Sequence, residues 1–556
     1  MKKNNIPVIL FVLFFINISL KAQTVPRRYD VVIYGATSAG VIAAVAAKQN
    51  GASVILLSPE KHIGGLTTSG LGWTDIGNQD RYRTIGGLAL DFFHRVKSYY
   101  QHTQGWSVET FTDYHKKVGN SIYRITDSLM WTFEPHVAEK IFNDLIRENN
   151  IPLKTDQRLD RNHGVKKENG NIVSITLLNG DSYSGKVFID ATYEGDLMAA
   201  AGVSYATGRE ANRQYGETIN GIEAAMATKN NLPRGIDPYV KKGDPSSGLL
   251  PGVHKSAGGK DGEADKKIQA YCYRVCLTDA PANRIMITKP AGYRERDFEL
   301  IVRAAQKDVQ TFWKLSPLPN RKTDSNNDGG VSTDYIGMNY SYPEASYALR
   351  RKIDAAHAYW TKGLIWTVQH DPRMPAAVRE KYAAWGLPKD EFKDNGNMPY
   401  KLYVREARRM VSDFVMSESY LKGDQAVPES IAMGNYNMDS HNVQRYVSPE
   451  GDVQDEGDVQ IGVPQPYAIS YLAIIPKAGE CGNLLVPVCL SASHVAYGSI
   501  RMEPVFMMLG QSTGIAAALA AQQDKRVQNI SYAELEKKLI SSGQVLKLNG
   551  FSPHSF

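Results

Sequence analysis

An α/β fold, one domain split in two by an inserted α+β region, is what this sequence predicts, and three observations carry that prediction. Residues 31–34 and 54–57 are short apolar runs separated by an alanine-rich stretch at 41–49, the layout of a β-α-β unit. The turn after the first run reads Gly35-Ala36-Thr37-Ser38-Ala39-Gly40, a G-x-T-x-x-G spacing between strand and helix. Two later segments, Asp190-Ala191-Thr192 after an apolar strand and a small-residue helix near the C-terminus, bracket a long middle region in which periodicity fades.

Each part of the opening unit has a physical reason. Gly35 allows the tight turn out of the strand. Gly40, with Ala43 and Ala44, lets the helix pack close to the sheet. The helix N-terminus then offers free N–H groups and a positive dipole end to a pyrophosphate. An ordinary crossover with a glycine turn is the competing reading. Thr37 stands where a second glycine is usual, and Ser58 stands where a ribose-binding acid would end the second strand, with Glu60 a little too far on to replace it.

Composition narrows the class. The 556 residues are 42% hydrophobic and 22% charged, with a net charge of +6, a balance with no nucleic-acid signature. The 30 tyrosines and 7 tryptophans suit a polar or carbohydrate-binding surface, although packing accounts for most of them. Lys2 and Lys3 precede an apolar run at 6–20, and Ser19-Leu20-Lys21-Ala22 resembles a cleavage site. Residues 1–22 are therefore expected to be a signal peptide, and the protein periplasmic or secreted. An uncleaved anchor is the alternative. Arg27-Arg28 follow the apolar run and so form no twin-arginine signal. No other segment reads as long and apolar enough to cross a membrane, so no stable span is expected once the signal is removed. Cys272, Cys276, Cys481 and Cys489 fit no zinc or iron–sulfur spacing and are read as structural; no metal is expected.

After the second strand, His62-Ile63-Gly64-Gly65-Leu66-Thr67-Thr68 places a glycine pair and hydroxyls where backbone amides can approach a ligand closely. With the G-x-T-S-A-G turn, this loop resembles the FAD-dependent oxidoreductase family of the glutathione-reductase-like, two-dinucleotide-motif kind. More narrowly it resembles exported bacterial flavoproteins often found near polysaccharide-degradation genes. Thr37 agrees with that subfamily's pattern and Ser58 departs from its glutamate. The resemblance implies FAD held by Gly35, Thr37, Ser38, Ala39, Gly40, Ser58, Gly64, Gly65, Leu66 and Thr67. His62 is read as a loop histidine, or as a residue that touches or carries the flavin.

Further along, 86–100 reads as a loop into an amphipathic helix, and 137–148 as a second helix opened by Pro135. The pattern at 173–178, Asn179-Gly180 and 182–189 is a hairpin. It feeds Asp190-Ala191-Thr192-Tyr193-Glu194-Gly195-Asp196, the second signature of the resemblance, in which Ala191, Thr192, Glu194, Gly195 and Asp196 lie on the cofactor. Asp196 also reads as a helix N-terminal acid.

From 206 onward loops multiply. Asp324 to Gly329 mimics the start of a calcium loop, but Tyr335 stands where its glutamate belongs, and a solvated turn is the expectation. The stretch 334–340 is rich in groups that bind sugars or carboxylates. Residues 401–420 have helical periodicity, with Arg405, Arg408 and Arg409 as a charged face or an anion clamp. His441, flanked by Asp439 and Asn442 in a loop, reads as a general base. Near the end come a strand at 483–488, then His494, Arg501, a helix from 503 or 504 to 522 with Gly510 and Gly514, and a last helix at 532–541. The resemblance aims the N-terminus of the longer helix at the flavin, with Arg501 beside it, and gives Gly510 and Gly514 to the cofactor. His494, at a strand end, is the second acid/base candidate.

The organisation expected is a Rossmann-like FAD-binding domain with an inserted α+β substrate domain: signal peptide 1–22, FAD domain 29–205 and 451–556, substrate domain 206–450. The expected activity is oxidation of a hydroxyl-bearing small polar or carbohydrate substrate by hydride transfer to FAD, with His441, His494 and Arg501 catalytic and an electron acceptor the sequence does not name. A flavin-dependent eliminase acting on a sugar acid and a non-catalytic sugar-binding protein remain the alternatives.

Overall fold

The computed structural model describes residues 27–75, 83–118, 125–126, 128–255 and 258–548, so the expected signal peptide lies outside the described residues. The chain opens with β1 (Arg27–Tyr34), α1 (Ser38–Gln49) and β2 (Val54–Leu57). Next come α2 (Gly87–Gln101) and α3 (Pro135–Glu148), whose proline sits in the first turn, where a missing N–H costs nothing. They lead into β3 (Leu153–Lys154), β4 (Val165–Glu168), β5 (Asn171–Thr176) and β6 (Ser182–Asp190). In the middle region lie β7 (Val275–Thr278), β8 (Ser316–Leu318), β9 (Lys322–Ser325) and the long α4 (Tyr347–His370). Then follow β10 (Met438–Ser440), β11 (Gln444–Val447), β12 (Val453–Glu456) and β13 (Val459–Ile461). The chain closes with β14 (Leu484–Leu485), α5 (His494–Ile500), α6 (Glu503–Gln523) and α7 (Tyr532–Ser541).

A seven-stranded sheet organises the cofactor half, in the order β3-β2-β1-β6-β5-β4. β1 pairs in parallel with β2 and β6, Val31 facing Val54 on one side and Val187 on the other. The start of β6 pairs antiparallel with β5, and its last residues pair in parallel with β14, which returns from almost three hundred residues away. Strands buried on both faces need no polar alternation, which is why β1 and β2 read as plain apolar runs.

Against this sheet α1 and α6 lie side by side. A Cβ on Gly510 would come 2.3 Å from the Ala39 carbonyl oxygen, and one on Gly514 the same distance from that of Ala43. The contacts advance together along both helices, so the helices run parallel and their N-termini lie at the same end. The assignment of Gly510 and Gly514 to the cofactor is thereby corrected: both face the backbone of α1, two to three turns inside α6. Adding one methyl there by Gly510→Ala is expected to destabilise the protein by about 1–3 kcal/mol, since neither helix backbone can yield; denaturant melts of the variant check this.

Several other expectations change. The α6 helix is long and apolar enough to span a membrane by length and composition, contrary to the sequence reading, but its apolar stretch is wholly buried in the fold. Residues 401–420 are not a helix: only Glu418–Lys422 is helical there. Arg405, Arg408 and Arg409 are all buried, and irregular backbone lets each meet carboxylates from different directions. Nor is 324–329 a solvated turn. Asp324 is buried on β9, where Arg274 grips it with two nitrogens at 2.7 and 2.5 Å. Finally, a boundary at 450 would fall inside a hairpin, because β11 pairs with β12 and β10 with β13 across it. All four cysteines are buried free thiols.

Candidate functional site

The G-x-T-S-A-G turn builds the first part of the site. Thr37 caps α1, its Oγ1 accepting from Gly40 N at 3.3 Å and donating to Ala191 O at 2.7 Å. This ties the first turn to the one after β6. The first intrahelical bond runs from Val41 N to Thr37 O, and of the amides before it that of Gly40 goes to Thr37 Oγ1. Thr37 also forms a parallel bridge with Gly64, which joins the first turn to the glycine loop, and α1 points the positive end of its dipole at this turn. At Gly40 a Cβ would meet the Gly35 carbonyl oxygen at 1.8 Å, so the turn and helix touch backbone to backbone.

The glycine-pair loop forms the second part. Gly64 N donates to Ala36 O at 2.7 Å, and Leu66 N donates to the Tyr193 hydroxyl at 2.9 Å. The third part is the turn after β6, which its own aspartate pins in place. Asp190 accepts from Thr192 N, Thr192 Oγ1 and Met198 N, while burial pushes its carboxyl up to about 6. Glu503, which the sequence reading did not single out, joins all three parts. It accepts from Ser38 Oγ and Thr67 Oγ1 at 2.6 Å each and from the Tyr193 hydroxyl at 2.7 Å. Its only mark in the sequence is an acid before a proline at the start of a helix.

Two predicted cofactor residues are committed elsewhere. Glu194 binds Lys401 Nζ at 2.9 Å, and Asp196 is held by Arg350 and Arg408. These acids fasten the insert to the cofactor half. Gly195 caps a short helix in the left-handed region, beside Cys489. Ser58 is buried, and its hydroxyl accepts from Glu60 N at 3.2 Å. Beyond it a cavity of about 70 Å³ is lined by Pro59, Glu60, Arg158, Thr192 and Glu194. His62 stacks on Tyr400 at 3.4 Å with both ring nitrogens on carboxylates, those of Glu139 and Asp394, so neither nitrogen is free for attachment.

Next to this cradle lies a buried polar centre built by the insert and the last section. His441 Nδ1 is 2.8 Å from Asp334 Oδ2, and its Nε2 is 3.5 Å from Asp439 Oδ2. Arg501 donates to both Asp439 O and Asp439 Oδ2 at 2.9 Å and to the Tyr403 hydroxyl at 3.1 Å. Its Nε, also buried, has no acceptor among the described residues. Tyr403 is the hub of this centre, with the guanidinium carbons of Arg405 and Arg274 4.7 and 5.5 Å from its ring. Burial raises its phenol, opposed by the three arginines, Arg501 first. His441 and Arg501 hold Asp439 well below the usual carboxylate range against the desolvation of burial.

His494 sits one layer behind. Its Nδ1 is 2.7 Å from Glu406 Oε2 and its Nε2 3.1 Å from Ser440 Oγ. Burial, with Arg409 and Arg209 nearby, pushes its ring down to about 3. Gln269 links the two histidines, donating to Glu406 and accepting from His441 N. The cradle and the centre adjoin: the backbone at Gly70 touches that at Arg274, and Trp73 N donates to Asp324 Oδ2 at 3.1 Å. A separate acidic trio, Glu134, His136 and Glu391, has the spacing of metal ligands, but the Lys322 ammonium lies 2.7 Å from both glutamates.

This structure therefore fits a dinucleotide on its own terms: the positive N-terminus of α1, backed by the parallel α6, and a glycine loop and a small-residue turn cross-linked around it. Comparison with known proteins agrees. A family profile described as FAD dependent oxidoreductase matches residues 30–539. No curated protein matches the chain. Among solved structures, an L-amino acid deaminase from Proteus vulgaris is 14% identical over 33% of this chain and 52% of its own, with a TM-score of 0.23. An L-proline dehydrogenase from P. horikoshii is 15% identical over 34% of this chain and 59% of its own, at 0.23. A thioredoxin reductase from T. acidophilum is 19% identical over 30% and 35%, at 0.17. Each likeness covers well under the full length of the other protein.

Proposed function

The chain belongs to the FAD-dependent oxidoreductase family, and from that premise we propose that it oxidises a hydroxyl-bearing small polar or carbohydrate substrate, FAD when bound accepting the hydride at flavin N5. The N-terminus of α1, the loop from Gly64 to Thr67 and the turn from Ala191 to Gly195 would hold it.

The observation that carries the proposal is the His441–Asp334 pair set beside Arg501, whose Nε–H is buried without an acceptor. A buried donor of this kind is costly unless a ligand oxygen meets it. Asp334 at Nδ1 favours the tautomer that leaves Nε2 to take the hydroxyl proton, and a proton taken there faces Asp439 at 3.5 Å. Arg501 fixes Asp439 and offers its remaining N–H to substrate oxygen. His494, held neutral by burial between Glu406 and Ser440, orients β10 and is a weak base. Tyrosines and arginines around Tyr403 favour a polyhydroxylated or acidic substrate over an apolar one. If the leader expected at 1–22 is used, the work would take place outside the cytoplasm, where a soluble or membrane-borne acceptor would reoxidise the enzyme.

The test is an anaerobic titration of the flavin-loaded protein with a panel of sugars and uronic acids. Flavin bleaching by a member of the panel supports the oxidase-type reading. A product at the substrate's own oxidation level, formed without bleaching, would favour elimination instead.

A further inference from the structure

We infer that Glu503 couples the binding of FAD to the uptake of a proton, which rests on the reading of the α1 turn as the pyrophosphate site. The carboxyl is buried at the first position of α6, and its three hydroxyl donors come from three different cofactor segments: Ser38 from the first turn, Thr67 from the glycine loop, and Tyr193 from the turn after β6. Because α1 and α6 run parallel, the carboxyl also lies where two helix N-termini converge. It occupies a corner built for an anion.

The same Ser38 that holds Glu503 through its hydroxyl is the first residue of α1, at the positive end of that helix. A pyrophosphate at that N-terminus sets negative charge against a carboxylate in a site removed from water, where like charges are costly. Protonating Glu503 removes that repulsion and turns an acceptor into a donor. Among the described residues no unpaired cation stands by to do the same. The groups facing Glu503 are the Ser38 and Thr67 hydroxyls and the Tyr193 phenol, all uncharged. Arg501, just before it in the chain, is bound to Asp439 and Tyr403. Lys401 lies 5.7 Å from the centre of the Tyr193 ring and is paired with Glu194. Burial already raises the Glu503 carboxyl, with the hydroxyl donors opposing it, so the group is poised to take the proton.

The sign follows from linkage. A site that gains a proton on binding loses affinity as pH rises, by at most about tenfold per pH unit for one proton. The test is the dissociation constant of FAD from the full-length flavoprotein, read from recovery of flavin fluorescence on dilution between about pH 5.5 and 8.5. Wild type is expected to release FAD more readily at high pH, and Glu503→Gln to bind with no such slope and more tightly at the alkaline end. Should Glu503→Gln not fold, Thr67→Val removes one donor and moves the wild-type slope to higher pH. A wild-type dissociation constant that is flat with pH, or a Glu503→Gln protein with an unchanged slope, overturns the inference. A protein that binds no FAD at any pH overturns the pyrophosphate reading beneath it as well.

Discussion

Replacing His441 by alanine is expected to slow substrate-driven flavin reduction by about 10²- to 10⁴-fold, the usual worth of a positioned general base, while FAD content stays unchanged. The reason is geometric. His441 is the histidine of the polar centre with one nitrogen fixed by a carboxylate, Asp334, and the other turned toward Asp439 and Arg501. The polar partners of its ring among the described residues are Asp334 and Asp439, neither of them in the glycine turn or loop, so cofactor retention is expected not to depend on it. His494→Ala should act differently. With its ring pushed down to about 3 and both nitrogens occupied by Glu406 and Ser440, it loses position rather than a proton acceptor. Stopped-flow reduction of the two variants with the same substrate separates these roles. If both reduce at the wild-type rate, the acid/base assignment falls.

Asp324→Ala is expected to cost about 3–5 kcal/mol of stability, the penalty for leaving one member of a buried ion pair alone. Arg274 grips both oxygens of Asp324, both residues are buried, and the pair supports Trp73 N and the Tyr403 ring. Its loss should therefore loosen the contact between the glycine-pair loop and the polar centre, and weaken FAD retention along with the fold. Urea unfolding and flavin content of the purified variant measure the two effects.

What could be read ahead of the structure was local. β1, α1 and β2 announce themselves because an apolar run, a glycine turn and an alanine helix are set by neighbouring residues. The same holds for the hairpin at Asn179-Gly180 and for α7. The insert was opaque for the opposite reason. Asp324 looked like a solvated turn because its partner, Arg274, lies fifty residues back. Arg405, Arg408 and Arg409 mimicked a helix face because periodic charge does not reveal that each guanidinium is buried against a different distant acid. Gly510 and Gly514 suit a cofactor helix by sequence, but what they meet is α1 and not a ligand. His441 and His494 were picked out as polar residues in suggestive company. Only the fold shows that Gln269 ties them together and that Glu503 ties the cofactor segments.

Hydride transfer is tested most directly by anaerobic reduction of the bound flavin with a hydroxyl substrate carrying deuterium at the carbinol carbon. Hydride transfer from that carbon, with His441 taking the hydroxyl proton, predicts bleaching that slows on deuteration and a product oxidised by two electrons. Bleaching indifferent to the isotope, or a product formed at the substrate's own oxidation level with the flavin still yellow, would contradict it.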